Sequence, residues 1–444
     1  MRFLDVDANM QGGEMLRSSM HVHTNGILDL AFSDDGSRLV TGSADRTCKV
    51  IDVETESIAV ELSNEHVGTI RQVAFQPGQS NGNVIASGGL DGRIVIWDLR
   101  CGSVPAQTFT TRDGKDGQIR TQRNTSMPVA NASAINRIYK AHSRVYDGKE
   151  SKASLTSIHW LPAGREHLLL SSSDVNTSVK LWDTRWMKPS SNPEYKPVSK
   201  TAPPSHHTFR PYGLMSITMN ADASRFYALC YDNTVYAYST AHLVLGQAPE
   251  LMDRCVKRRP RDGEGLGPLY GFKNEHLDVR SFYLRARVRP ASNHGPELLA
   301  VGSRSAWPIL FPTDERYLRS AWSKRNHILR QDPLLSTTPS LSRPTMTPQS
   351  LSPSNCDIPI YQCGTPLAHG HSREVTNVAW THNGRLVTAS DDGYIRHWQE
   401  DAAEARHLRQ VGDFGGERWM AGWALVDDDW DGDDDCGDDD DDEQ

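Results

Sequence analysis

Short runs of alternating apolar and polar residues, each closed by turn-forming residues, recur along the chain and predict half-buried β-strands. Three stretches align residue for residue: "RLVTGSADRTCKVIDV" (38–53), "VIASGGLDGRIVIWDL" (84–99) and "RLVTASDDGYIRHWQE" (385–400). Each is a strand ending in Thr or Ser, a turn holding Asp45, Asp91 or Asp392, and a second strand. Six residues beyond that Asp, the second strand carries Ile51, Trp97 or Trp398. Another strand lies upstream of each ("GILDLAF", "TIRQVAF", "EVTNVAW"), and His23, His66 or His371 precedes it.

Three weaker units share the same outline. Residues 167–184 end in Trp182-Asp183, with Asn176 in the turn position. Residues 225–240 place Asp232 in the turn and Tyr238 in the Trp slot, and residues 297–314 offer Ser305 and Phe311. The Trp slots at 51, 97, 182, 238, 311 and 398 are separated by 46, 85, 56, 73 and 87 residues. A basic period of about 40–45 residues is that of a WD40 propeller blade, the longer gaps carrying insertions. The expected fold is therefore an all-β WD40 β-propeller of the seven-bladed family, with six complete repeats and an incomplete first blade. Within a blade, His66, Ser87, Asp91 and Trp97, or His371, Thr388, Asp392 and Trp398, are expected to hydrogen-bond in a chain. Buried polar groups must be paired, so these residues read as structural and not catalytic.

Residues 1–20 are expected to be the remnant of an N-terminal blade, because "RFLDVD" (2–7) looks like a last strand without the strands before it. Two closures are open: residues 13–20 add an outer strand to the C-terminal blade of a six-bladed ring, or a seventh blade lacks its N-terminal part. The propeller is expected over 21–400. Disordered insertions are expected at about 101–152 and 318–360, the latter including the Ser/Thr/Pro stretch "STTPSLSRPTMTPQSLSPSN" with proline-directed Thr338, Thr347 and Ser352. The cluster "VKRRPR" (256–261) is either a nuclear import signal or a solvated basic loop. Residues 401–444 form a C-terminal extension.

Charge changes the picture once. The net charge of −8 becomes +5 when the 13 acidic side chains of residues 427–444 are set aside, so a mildly basic body carries an acidic, self-repelling tail. Seven scattered cysteines without a Cys-x-x-Cys pair suit a reducing compartment and no zinc framework. No apolar run approaches the length of a membrane span, and no secretory leader is expected. Phosphate-loop, Gly-x-Ser-x-Gly and His-Glu-x-x-His motifs are absent; "GEGLG" (263–267) comes after no predicted strand, and the 17 histidines lack metal spacing. No enzyme, metal, cofactor or sequence-specific nucleic-acid binding is expected, which leaves a platform for other proteins.

Two units continue past Trp-Asp into arginine: Trp97-Asp98-Leu99-Arg100 and Trp182-Asp183-Thr184-Arg185. A guanidinium at the exit of a blade presents a planar fork of donors to carboxylates and carbonyls of a partner. This Trp-Asp-x-Arg pair resembles the motif by which WD40 proteins dock on the damaged-DNA-binding adaptor of cullin-4 ubiquitin ligases. The stretches "GILDLAFSDDGSRLVTGSADRTCKV", "VIASGGLDGRIVIWDLRCG", "SVKLWDTR" and "HSREVTNVAW…RLVTASDDGYIRHW", in this order over residues 2–400, resemble the denticleless family. The resemblance implies a nuclear, non-catalytic substrate receptor of a cullin-4 ligase that recruits proteins bound to the DNA-loaded sliding clamp for degradation. It assigns Trp97, Asp98, Arg100, Trp182, Asp183 and Arg185 to the adaptor and puts the substrate at the opposite face and central opening, where Arg71 and Arg373 are the expected contacts. A different WD40 scaffold, one that binds chromatin or histones, is the alternative.

Overall fold

The computed structural model describes residues 2–4, 16–103, 130–146, 149–162, 164–186, 196–207, 212–246, 266–291, 295–319, 358–367, 370–401 and 423–425. Among these residues, twenty-nine strands and few helical turns make an all-β fold with six propeller blades. Blades 1 to 6 begin with the inner strands Ile27–Phe32, Ile70–Phe75, Leu155–Trp160, Leu214–Met219, Ala286–Arg289 and Val375–Trp380. Each inner strand pairs antiparallel with a second, the second with a third and the third with a fourth. In blades 1, 2, 4 and 6 Asp45, Asp91, Asp232 and Asp392 stop the central hairpin where the sequence pattern places its turn.

The core lies between blades, not inside them. Five apolar clusters fill the successive interfaces from blades 1 and 2 to blades 5 and 6. A smaller cluster (Val22, Leu39, Ile51) covers the other face of blade 1. The inner strands of neighbours are also stitched together. Asp29 Oδ2 accepts the Val73 amide, Gln72 Oε1 the Ile158 amide, Ser157 Oγ the Ile217 amide and Ser216 Oγ the Ala286 amide. Each acceptor sits at a register shift of its own strand. The bulge turns a polar side chain out of the ladder and into the adjacent blade.

The interface between blades 6 and 1 differs. Asn377, at the corresponding shift in blade 6, is exposed, and Leu30 and Phe32 on the inner strand of blade 1 are 44% and 52% exposed. Arg2–Leu4 pairs antiparallel with Leu16–Ser19 as a two-stranded sheet apart from the six blades. This overturns the closure in which residues 13–20 complete the C-terminal blade, because the outer strand of that blade is Trp423–Leu425.

The two insertions are shorter than expected. Ala130–Ile138 is the outer strand of blade 2, antiparallel to Ile94–Ser103 and parallel to blade 1 at Val60 and Glu61, so these blades share one sheet. Ser143–Tyr146 and Lys149–Lys152 then form a hairpin. The small residues and weak alternation of "ANASAINRI" hide a strand whose partners are far away in sequence. The second interval loses both ends: Leu318 is buried between blades 4 and 5, and Ile360–Gln362 lies parallel to Tyr270–Lys273. The proline-directed sites, "VKRRPR", residues 263–265 of "GEGLG" and the acidic segment 427–444 lie outside the described residues.

Candidate functional site

Third strands run in the same direction in every blade. Their starts define one rim of the ring, where Asp45, Asp91, Asp232 and Asp392 sit in the turns. Their ends define the opposite rim, where Arg100 and Arg185 leave the neighbouring blades 2 and 3.

The tryptophans of the two Trp-Asp-x-Arg motifs belong to the core. Trp97 and Trp182 are 1% and 3% exposed, and each indole Nε1 donates to a strand hydroxyl at 2.8 Å, Ser87 or Ser171. Ser87 Oγ lies 2.8 Å from His66 Nε2, and His66 Nδ1 faces both Asp91 oxygens at 3.2 Å. Blade 6 repeats the chain with Trp398, Thr388, His371 and Asp392 at 3.0, 2.7 and 3.0 Å. In blade 3 it stops early: His142 Nε2 meets Ser171 at 2.8 Å, but Nδ1 is buried without a protein partner because Asn176 replaces the turn carboxylate. Burial holds the His142 imidazole well below its ordinary pKa. Trp97 and Trp182 are therefore sealed in their blades, behind the Asp and Arg that follow them.

That Asp and Arg form a clamp, built once on each blade. Asp98 Oδ1 accepts from the Arg100 amide and from Arg100 Nε, both at 2.9 Å, while Oδ2 accepts from Nη2 at 2.7 Å. Asp183 holds Arg185 in the same three bonds at 3.0, 3.0 and 2.7 Å. The carboxylates are nearly buried, whereas the arginine side chains are 62% and 59% exposed. Hydrogen bonds from Arg100 lower the Asp98 pKa; for Asp183 burial acts upward, but the bonds from Arg185 outweigh it. Each guanidinium thus spends one edge on its own Asp and turns Nη1 outward, in a preset orientation.

Residues 14–52, 60–98 and 364–399 match the family described as WD domain, G-beta repeat. The chain is 26% identical over 398 residues to Cell division cycle protein cdt2 of Schizosaccharomyces pombe, covering 87% of this chain and 61% of that protein. It is 24% identical over 399 residues to Denticleless protein homolog B of Xenopus laevis (88% and 44%) and 26% over 395 residues to Protein lethal(2)denticleless of Drosophila melanogaster (88% and 40%). The chain carries WD40 repeats and is similar over most of its length to denticleless-type proteins. It spans about half the length of the curated relatives it matches.

On the opposite rim the propeller gathers a second group that sequence reasoning only touched. Arg71, at the head of the blade 2 inner strand, is half-buried, and its guanidinium stacks over Phe282 at 5.1 Å. Burial lowers its pKa, and Nη1 has no protein partner. Arg285 from blade 5 reaches across the centre, donating to the Arg71 carbonyl at 2.9 Å and the Thr156 carbonyl at 3.4 Å, with Asp29 at 3.5 Å. Phe282 and Tyr283 beside it are 42% and 54% exposed. Arg373 stands exposed on blade 6. The run of three alternating arginines in "LRARVR", at and beside the blade 5 inner strand, was the available signal for this centre. Among the described residues, His206, His207 and Asp232 on blade 4 bring three metal-ligating side chains together, apart from both clamps.

Proposed function

We propose that this protein is the substrate-recognition subunit of a cullin-4 ubiquitin ligase, non-catalytic itself and working in the nucleus. The Arg100–Arg185 rim docks the damaged-DNA-binding adaptor. The opposite rim, with Arg71, Phe282 and Tyr283 at its centre and Arg373 beside it, receives substrates carried on the DNA-bound sliding clamp. The observation that carries this reading is the duplicated Asp–Arg clamp: two exposed guanidinia, oriented alike, on adjacent blades and one rim. Arginine anchors at interfaces cost about 2 kcal/mol or more of binding when truncated, whereas surface substitutions usually stay within about 0.5 kcal/mol of stability. The test is the Arg100→Ala, Arg185→Ala double variant, checked first by melting and then by adaptor pull-down. Normal melting with loss of adaptor and cullin is the expected result; undiminished adaptor capture by the folded variant refutes the docking. Recovery of histones, with no adaptor or cullin, from the wild-type protein favours the chromatin scaffold instead.

A further inference from the structure

Blade 4 breaks the hydrogen-bond pattern of its neighbours. In blades 1, 2 and 6 the histidine before the inner strand turns Nδ1 to the turn Asp and Nε2 to a strand hydroxyl. In blade 4 the residue in the hydroxyl position is Ala228, fully buried, so His207 has nothing there to bond. Its ring is reversed: Nε2 lies 2.7 Å from Asp232 Oδ2, and Nδ1 lies 3.0 Å from the Thr177 hydroxyl of blade 3.

Tyr236 Oη fills the space, 2.5 Å from Asp232 Oδ2 and 3.3 Å from His207 Nε2. A second histidine joins from outside. His206, with a side chain 48% exposed, turns its Nε2 back to 2.8 Å from Tyr236 Oη and 3.8 Å from Asp232 Oδ2. The structural chain of a blade needs one histidine, and His206 is surplus to it. The ligating atoms of His206, His207 and Asp232 all lie within 4.8 Å of one another.

We infer that His206, His207 and Asp232 form a binding site for a divalent transition-metal ion of the Zn2+ type. Two imidazoles and one carboxylate are a standard three-ligand set for Zn2+, with the fourth position left to water or a partner group. Tetrahedral bonds of about 2.0–2.2 Å place ligand atoms roughly 3.3–3.5 Å apart. Among the ligands, His207 Nε2 and His206 Nε2 lie 2.7 and 3.8 Å from Asp232 Oδ2, on either side of that value. Modest rotation of side chains on a fixed backbone opens the cluster to an ion.

The supports behind the ligands are in place. Thr177 Oγ1, 3.0 Å from His207 Nδ1, is placed to take the proton of that nitrogen when Nε2 turns its lone pair to a metal, while the Thr234 amide holds Asp232 Oδ1 at 3.1 Å and Oδ2, which Tyr236 Oη bonds in this structure, faces both histidines. The site lies on the rim of the turn aspartates, away from Arg100 and Arg185, and its existence is independent of the ligase assignment.

The test uses the full chain, freed of any affinity tag and dialysed against EDTA, titrated with Co2+ by absorption spectroscopy and then with Zn2+ in competition. One equivalent of Co2+ giving ligand-field bands that Zn2+ abolishes is expected. Zn2+ should also raise the melting temperature. His206→Gln, at a half-exposed side chain outside the core, should fold normally and weaken binding by about 100-fold. His382→Gln, an exposed histidine on blade 6, should bind as the wild type. No saturable binding by the wild type overturns the inference. So does a His206→Gln variant that binds and is stabilised as the wild type is.

Discussion

Replacing Trp97 by alanine probes the joint between blades 1 and 2. The indole is 1% exposed and belongs to the cluster that sets Val40, Val50 and Leu62 of blade 1 against Val73, Ile85 and Val95 of blade 2. An aromatic side chain of this kind buries about 150–250 Å². At about 25 cal/mol per Å² that corresponds to roughly 4–6 kcal/mol as an upper figure. The Nε1–H bond to Ser87 contributes about 1 kcal/mol more, and partial collapse of the cavity returns some of the total. The expected cost of Trp97→Ala is therefore about 3–5 kcal/mol. Trp97→Phe keeps most of the packing, and Ser87 keeps its bond to His66, so about 1–2 kcal/mol is expected there. Urea unfolding monitored by far-UV circular dichroism measures both. Hydrogen exchange should show protection lost first in blades 1 and 2. An alanine variant that unfolds at the wild-type urea concentration would refute the burial. A phenylalanine variant as damaged as the alanine one would show that the polar chain, not the volume, carries the stability.

Other consequences can be checked as directly. Asp98→Asn with Asp183→Asn removes one acceptor oxygen from each clamp while sparing both arginines, so adaptor capture should fall without a change in melting; capture at the wild-type level would mean that presetting is irrelevant. Gly370→Ala drives a methyl into the indole of Trp398 and should cost about 1–3 kcal/mol in thermal unfolding, since the ring is fully buried and cannot move aside. Acidification should destabilise the propeller in two stages. His23, His142, His159 and His371 are held below the ordinary value of 6.5, by burial first in each case, so the unfolded chain binds more protons and stability falls as pH drops below about 6.5. Burial acts upward on Asp45, Asp91 and Asp392, but hydrogen bonds bring all three down, Asp45 to about 2. Their contribution, present above about pH 4, is lost below it. Melting temperatures from pH 8 to pH 3 should show both falls, and a flat profile from pH 7 to pH 5 would contradict the first.

The blades with a His, a strand hydroxyl and a turn Asp in place were legible because everything that makes them is local. Alternation over a few residues, a turn Asp and a Trp at fixed distance specify a hairpin and its buried face wherever it lies, which is why blades 1, 2 and 6 stand out and why Arg100 and Arg185 were found at the exits. Blade 5 was faint because Ser305 stands in place of the turn Asp and its inner strand, which carries Arg287 and Arg289, follows Arg285, whose partners lie across the centre of the ring. The outer strands were missed for another reason. Ser199–Lys200, Thr365–Pro366 and Trp423–Leu425 are too short to carry a period, and their partners are remote in the chain.

The sequence by itself determined the repeating hairpins, the polar chains inside them and the exits that bear the arginines, since neighbouring residues settle each through backbone alternation and turn chemistry. Only the tertiary structure decided which strand closes each blade and how the bulge residues Asp29, Gln72, Ser157 and Ser216 tie one blade to the next. It also decided that the Asp of each Trp-Asp-x-Arg grips its own Arg, and that His206 folds back on Asp232. These pairings join groups that are far apart in the chain, or that choose among several local partners, and their energies are settled only when the blades pack face to face.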